Sequence, residues 1–203
     1  MKPNFEEELN KYILSKAIIP NSLGLWETYF KKMCLAWGEI VPNTTPQHLI
    51  FAADTGPDVE SALQFKRDIV RKGLTLHAGH LETVEDVIAH VGGFDIAAIT
   101  GAMVACSDLH IPFVIDGYIT AVAMACATRL NANTPLYGIP SHYSREVGMQ
   151  SALAYSNIRL DEVPIHGGMA LGEGTGAVLM VQLLKTAHFA FINIGSMDDL
   201  LKL

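Results

Sequence analysis

Two apolar runs without alternation, each reaching an aspartate, constrain the fold of this chain most strongly. The sequence LIFAAD occupies residues 49–54, and PFVIDG occupies residues 112–117. Unbroken apolar runs of this length are typical of parallel strands covered on both faces, because neither face of such a strand meets water. Shorter runs at 136–140 and 162–165 predict two further strands, which their prolines restrict to sheet edges or strand ends.

A helical pattern follows each of these runs, so strand and helix alternate along most of the chain. Such alternation predicts an α/β fold with a mainly parallel, Rossmann-like sheet covered by helices. The predicted helices of this part span residues 60–72, 83–90, 95–107, 117–130, 144–155 and 176–191.

The N-terminal region has a different pattern. Helical periodicity covers residues 5–16 and 25–38, and the two segments are separated by the turn-forming sequence PNSLG at 20–24. We expect these helices to pack with the C-terminal helix as a small subdomain. The predicted division is therefore a helical subdomain of residues 1–45, completed by the C-terminal helix, and an α/β domain of residues 46–203.

Size and charge narrow the class of ligand. The chain has 203 residues, 50% of them hydrophobic, and can bury a sizeable core. Its net charge of −7 argues against binding to nucleic acid or to an anionic membrane surface, which requires clustered Lys and Arg. The apolar stretches at 96–107 and 117–128 are too short to span a bilayer. We therefore expect a small-molecule ligand, with neither nucleic acid nor membrane as a partner.

The cysteine and histidine positions predict neither a disulfide framework nor a metal site. Cys34, Cys106 and Cys126 are widely spaced in apolar surroundings, as buried free thiols are in a reducing compartment. His77 and His80 lie three residues apart, but no third ligand stands near them in the sequence. The acidic N-terminal sequence does not have the form of a secretory signal, so a cytoplasmic location is expected.

The sequence LGEGTGA at 171–177 places one carboxylate, Glu173, between glycines just before an apolar helical run. A flat ligand can approach such a side chain closely, and backbone N–H groups at the helix N-terminus favour a nearby anion such as phosphate. The same sequence is also typical of a simple turn with a charged tip. Asp54, Asp116, Ser141 and Glu173 each fall just after a predicted strand or in the loop that follows one. α/β sheets bind their ligands at this end of the strands, so the shared position favours a cleft.

Four sequence blocks, in a fixed order, resemble the nicotinate-nucleotide–dimethylbenzimidazole phosphoribosyltransferase family. They are GGFDIAAITGA at 92–102, VIDGYI at 114–119, IPSHYS at 139–144 and the glycine loop around Glu173. More loosely, PNSLGLWE at 20–27 is similar to the family's Pro-Gly-Ser-Leu-Gly-x-Leu-Glu, and FAAD at 51–54 to its strand ending in Ala-Ala-Asp-His-Gly.

The resemblance implies an activity and a role for each matched residue. The family transfers the phosphoribosyl group of nicotinate mononucleotide to 5,6-dimethylbenzimidazole or a related base, which gives α-ribazole 5′-phosphate, the precursor of the cobamide lower ligand, and nicotinate. It implies a homodimer and no metal or other cofactor. Glu173 matches the catalytic general base, and an apolar surround would raise its pKa. The matched substrate-binding positions are Gly172, Gly174 and Gly176 as backbone donors, Asp116 and Gly117 at a strand end, and Ser141 and His142 beside ribose or phosphate.

Structural alternatives stand beside the weaker positions: Asp116-Gly117 as a plain turn, and Ser141-His142 as part of a helix start capped by Ser144. The chain also departs from the family pattern after Asp54. The family's central region, with its phosphate-contacting loop and base-binding segment, has no counterpart, and Thr55 resembles a threonine that comes later in the family. The chain is thus similar to a short form with an internal deletion. The alternative to an active transferase is a non-catalytic or decayed member that binds nucleotide or a full-length homologue.

Overall fold

The structure is a computed structural model that describes residues 4–19, 22–42, 45–51, 60–170 and 173–202. Helices dominate these residues, as expected for helical periodicity over so much of the sequence. The helices are α1 Phe5–Ser15, α2 Leu25–Trp37, α3 Glu60–Leu76, α4 Val84–Val91, α5 Phe94–Asp108, α6 Tyr118–Leu130, α7 Met149–Tyr155, α8 Thr175–Asn193 and α9 Met197–Leu200.

A short parallel sheet lies among these helices. Strands β1 (Phe113–Ile115) and β2 (Gly138–Pro140) pair in parallel, with Val114 opposite Ile139, and α6 forms the crossover between them. A further parallel bridge joins His142 to Ile165. The α/β prediction is confirmed, in a mostly helical form with a small parallel sheet.

Two predicted strands and one helix start are wrong where the structure describes them. Residues 49–51 have no strand partner among the described residues and stay irregular, and residues 52–54 lie outside those residues. Leu160–Glu162 forms a turn of 3-10 helix, so only Ile165 of the run 162–165 joins the sheet. Helix α7 begins at Met149 and not at 144, because the Ser144 hydroxyl accepts the Glu146 N–H at 3.3 Å in a local turn.

The main core joins α5, α6 and α7 to β1. Alanines at 121, 123 and 127 of α6 are fully buried and let the neighbouring helices approach closely. The Thr100 hydroxyl of α5 donates to the Ala123 carbonyl at 3.3 Å, which satisfies a polar group inside this contact. The core therefore holds β1, and the residues after it, in a fixed place.

The N-terminal helices pack against α8, as expected. The rings of Phe30 in α2 and Phe191 in α8 stack with centroids 4.3 Å apart and an interplanar angle of 9°. A second contact joins Tyr29 and Met33 of α2 to Ile139 of β2 and to α8. A domain boundary at 45/46 remains a prediction.

All three cysteines are free, as predicted. Cys34 is buried, and burial raises the pKa of its thiol to about 12. Cys106 and Cys126 are half-buried, and burial raises the pKa of both thiols as well. Because burial disfavours the thiolate at all three positions, we interpret these cysteines as packing groups and not nucleophiles.

Helix α8 has one buried and one exposed face. Met180, Leu184 and Phe191 are buried, whereas its other face exposes Val178, Leu179, Leu183 and Phe189. Within the described residues α8 is the one helix long and apolar enough to cross a membrane, by length and composition alone. Its buried face packs on α2 and β2.

Candidate active site

Most of the predicted site residues meet at the carboxyl ends of β1 and β2. Asp116 follows β1, Ser141 follows β2, and α8 begins beside both of them. Gly172 lies outside the described residues. The residues brought together here are Asp116, Gly117, Ser141, His142, Gly174 and Gly176.

The Asp116 carboxylate holds the start of α8. Its Oδ2 accepts the Gly174 N–H at 3.1 Å, and its Oδ1 accepts the Ala177 N–H at 2.9 Å. Gly174 is the N-cap of α8 and has no side chain to satisfy the first helical amides, so an acid 58 residues earlier in the chain does so. The negative charge also suits the positive end of the helix dipole. Asp116 is only 7% exposed, which makes this a largely desolvated cap.

Ser141 and His142 form the layer behind Asp116. The Ser141 Oγ donates to the Asp116 backbone carbonyl at 2.6 Å and lies 3.1 Å from His142 Nδ1. A hydroxyl has one hydrogen, which Ser141 uses on Asp116, so Nδ1 of His142 donates to Ser141 Oγ. His142 is 1% exposed, and burial lowers its pKa against the opposing charge of Asp116. The imidazole is therefore neutral at pH 7, with Nδ1 protonated.

Gly176 permits the close packing of α8 against this layer. A Cβ at Gly176 would overlap His142 Nδ1 and would lie 2.9 Å from Asp116 Oδ1. Gly117 also faces His142, since a Cβ there would lie 3.4 Å from the ring Cε1. These two glycines let the histidine ring sit between β1 and the start of α8.

Glu173 lies at the solvent edge of this anchored loop. Its φ of 49° and the φ of 77° at Gly174 place two successive residues in the left-handed region, where glycine is at ease and glutamate is uncommon. The Glu173 side chain is exposed, so the described residues do not supply the apolar surround expected from the sequence. The Glu173 carboxylate therefore faces outward, and the hydrogen bond from the Gly174 N–H to Asp116 fixes the backbone one residue away.

His48 is a site residue that the sequence analysis missed. A Cβ at Gly174 would overlap Nε2 of His48, so the imidazole rests directly on the Gly174 Cα. The ring is exposed and adjoins the Glu173 turn. The only available signal was its place directly before the apolar run 49–54, whose far end was predicted to reach the site.

The histidines considered as a metal pair have a third neighbour in space. The His90 ring lies 5.0 Å from that of His77 and 5.6 Å from that of His80, between ring centroids. His90 Nδ1 is 2.9 Å from the Asp86 carbonyl oxygen, and the rings of His80 and His90 stack. Across the described residues no three His, Cys, Asp or Glu side chains have a geometry that could hold a metal ion.

Open α/β sheets bind their ligands beyond the carboxyl ends of the parallel strands, which is where the anchored acid of this chain lies. A family model described as "Phosphoribosyltransferase" matches residues 58–199. The chain belongs to this phosphoribosyltransferase family.

Curated relatives that match this chain are named nicotinate-nucleotide–dimethylbenzimidazole phosphoribosyltransferase. The protein of Clostridioides difficile strain 630 is 30% identical over 171 residues, which are 79% of this chain and 48% of the relative. That of Escherichia coli K12 is 33% identical over 172 residues, with 79% and 47% coverage. The resemblance found in the sequence is confirmed, and the chain spans about half the length of the curated relatives it matches.

Solved structures agree with this assignment. CobT from Thermus thermophilus superposes with a TM-score of 0.61 at 26% identity, and the match covers 86% of this chain and 49% of CobT. A second structure from the same organism, of the dimethylbenzimidazole phosphoribosyltransferase, gives a TM-score of 0.60 at 25% identity.

Proposed function

We propose that this chain transfers the phosphoribosyl group of nicotinate mononucleotide to 5,6-dimethylbenzimidazole or a related base, with Glu173 as general base. The observation that carries the proposal is the anchored turn, in which Asp116 fixes the Gly174 amide and the neighbouring Glu173 carboxylate faces outward. The names of the relatives supply the substrates.

The chemistry needs one well-placed carboxylate. The ring nitrogen of nicotinate mononucleotide is a positively charged pyridinium bonded to the anomeric carbon. When this bond breaks, the nitrogen takes the electron pair and becomes uncharged, so the departure of nicotinate needs little acid assistance. The attacking benzimidazole must lose the proton of its second nitrogen as the first nitrogen bonds to the anomeric carbon. A carboxylate held near that N–H accepts this proton, and the exposed position of Glu173 leaves room for a flat base beside it.

The contacts of the other predicted site residues support two roles, holding Asp116 and making room for His142. Ser141 and His142 are buried and contact Asp116 and each other, which supports a role in holding Asp116. Gly117 and Gly176 make room for His142. His48 adjoins Gly174 at the surface, and its ring N–H is a candidate hydrogen-bond donor to an anionic group of the mononucleotide.

The small-molecule substrates support a cytoplasmic location.

The exposed apolar surface of α8 supports a homodimer. The exposed face of α8 contributes four large apolar side chains to this surface, and we propose that it packs on a second copy. Light scattering should then give twice the chain mass of 22.0 kDa, and Leu183→Glu should reduce it to the monomer value.

The activity is tested with the purified chain, nicotinate mononucleotide and 5,6-dimethylbenzimidazole. Chromatography should show nicotinate and α-ribazole 5′-phosphate in equal amounts, with a full-length relative as the positive control. If the folded chain forms no product while the relative does, the proposal is wrong. Nucleotide binding measured by calorimetry on the same sample would then identify the non-catalytic alternative.

A further inference from the structure

We propose that Asp116 is a positioning residue for Glu173, acting through the backbone of the loop without touching substrate. The inference rests on the proposed function, since it assigns Asp116 a part in the same reaction. Both carboxylate oxygens are occupied by amides, from Gly174 and Ala177, and the side chain is 7% exposed. Both oxygens therefore hold the start of α8, and little of the side chain is open to a substrate.

The Gly174 amide is the link between the two acids. It belongs to the peptide that joins Glu173 to Gly174, so its hydrogen bond to Asp116 fixes the orientation of that peptide plane. Glu173 carries a positive φ that a glutamate in a free loop rarely adopts. The Asp116 carboxylate supplies a charge-assisted hydrogen bond that holds this conformation.

The hydrogen bonds of Asp116 to the start of α8 also make this helix N-terminus an unfavourable site for the substrate phosphate. The N-terminus of α8 offers the amides and the dipole that usually hold a phosphate, but here they donate to Asp116. A second anion at that terminus would meet the Asp116 charge at close range. The phosphate of the mononucleotide therefore has to be held by other groups.

Asp116→Asn is the sharpest variant, because the side chain keeps its shape while one of its two acceptors becomes an NH₂ donor facing a backbone N–H. Asp198→Asn, an exposed carboxylate-to-amide exchange in α9, is the matched control. We expect Asp116→Asn to lower kcat by about tenfold to 100-fold and to leave the KM for nicotinate mononucleotide within about twofold. A raised KM with kcat preserved would overturn the proposal, because Asp116 would then bind substrate.

A double variant tests whether Asp116 acts through Glu173 or independently of it. Asp116→Asn combined with Glu173→Gln should be no slower than Glu173→Gln alone, within about twofold. If the rate loss of the double variant equals the product of the two single-variant losses, the proposal is wrong. Asp116→Ser, which keeps one small acceptor, replaces Asp116→Asn in both tests if the asparagine variant does not fold.

Amide hydrogen exchange tests the positioning without any turnover. The Gly174 and Ala177 amides should exchange at least about tenfold faster in Asp116→Asn than in the wild type, with the α6 amides unchanged. Unchanged exchange at both positions would overturn the proposal. If the wild type itself forms no product, the proposed function fails, whereas this measurement still decides whether Asp116 holds the loop.

Discussion

Gly176 and His142 are in such close contact that no side chain fits between them. A Cβ at Gly176 would overlap the ring nitrogen that donates to Ser141 and would crowd Asp116 Oδ1 at 2.9 Å. The neutral histidine, the buried aspartate and the start of α8 therefore form one packed unit below the Glu173 turn.

Gly176→Ala should separate this unit. The added methyl must displace either the buried imidazole or the first turn of α8, and such overpacking destabilises by about 1–3 kcal/mol. Thermal unfolding of the variant checks this expectation. Gly101→Ala is the matched control, because a Cβ at this exposed position of α5 meets nothing within 4 Å and should stabilise by about 0.5–1 kcal/mol. Equal behaviour of the two variants would contradict the packing.

Lys32 predicts a pH dependence of stability. Its ammonium on α2 donates to the Pro135 and Gly138 carbonyls at 2.8 and 2.6 Å, and burial lowers its pKa from 10.5 to about 8, against the opposing charge of Glu162. Between about pH 8 and 10.5 the lysine is therefore mostly deprotonated in the folded state and still protonated in the unfolded state. The unfolded state binds more protons over this range, so the free energy of unfolding rises with pH.

The comparison with Lys32→Met isolates this contribution from the other groups that titrate above pH 8. The free energy of unfolding of the wild type, minus that of the variant, should be constant below about pH 8 and should increase from there to pH 10.5. Urea unfolding at half-unit pH steps measures the difference. A difference that is flat or falls over this range would show that the fold does not depress the lysine pKa.

The stacking of Phe30 on Phe191 predicts that the packing of α8 on the N-terminal helices contributes strongly to the stability of the fold. Phe191→Ala removes a fully buried ring at 4.3 Å from its partner and should cost about 3–5 kcal/mol in the free energy of unfolding. Phe65→Ala, at a largely exposed position of α3, should change it by no more than about 0.5 kcal/mol. Similar losses in both variants would contradict the assignment of the core.

The sequence predicted the long helices well because their periodicity is local. Helix α6 was expected at 117–130 and spans Tyr118–Leu130, and α5 was expected at 95–107 and spans Phe94–Asp108. A strand is decided by its partner, and the apolar run at 49–51 finds none among the described residues, so local pattern could not settle its structure.

The site was predictable as a set of residues but not as a set of contacts. The resemblance indicated Asp116 and Gly174 separately, whereas the hydrogen bond between them joins residues 58 positions apart. His48 carries no motif and reaches Gly174 only through the fold. Which amide a carboxylate accepts from is a tertiary property, and periodicity does not encode it.

The proposed role of Glu173 as acceptor of the benzimidazole proton is tested by the rate at which Glu173→Gln forms α-ribazole 5′-phosphate. Glutamine keeps the size of the side chain and removes the base, so the initial rate should fall by about 100-fold or more, with the unfolding midpoint unchanged. A folded Glu173→Gln protein that forms product within a few-fold of the wild-type rate would show that Glu173 is not the general base.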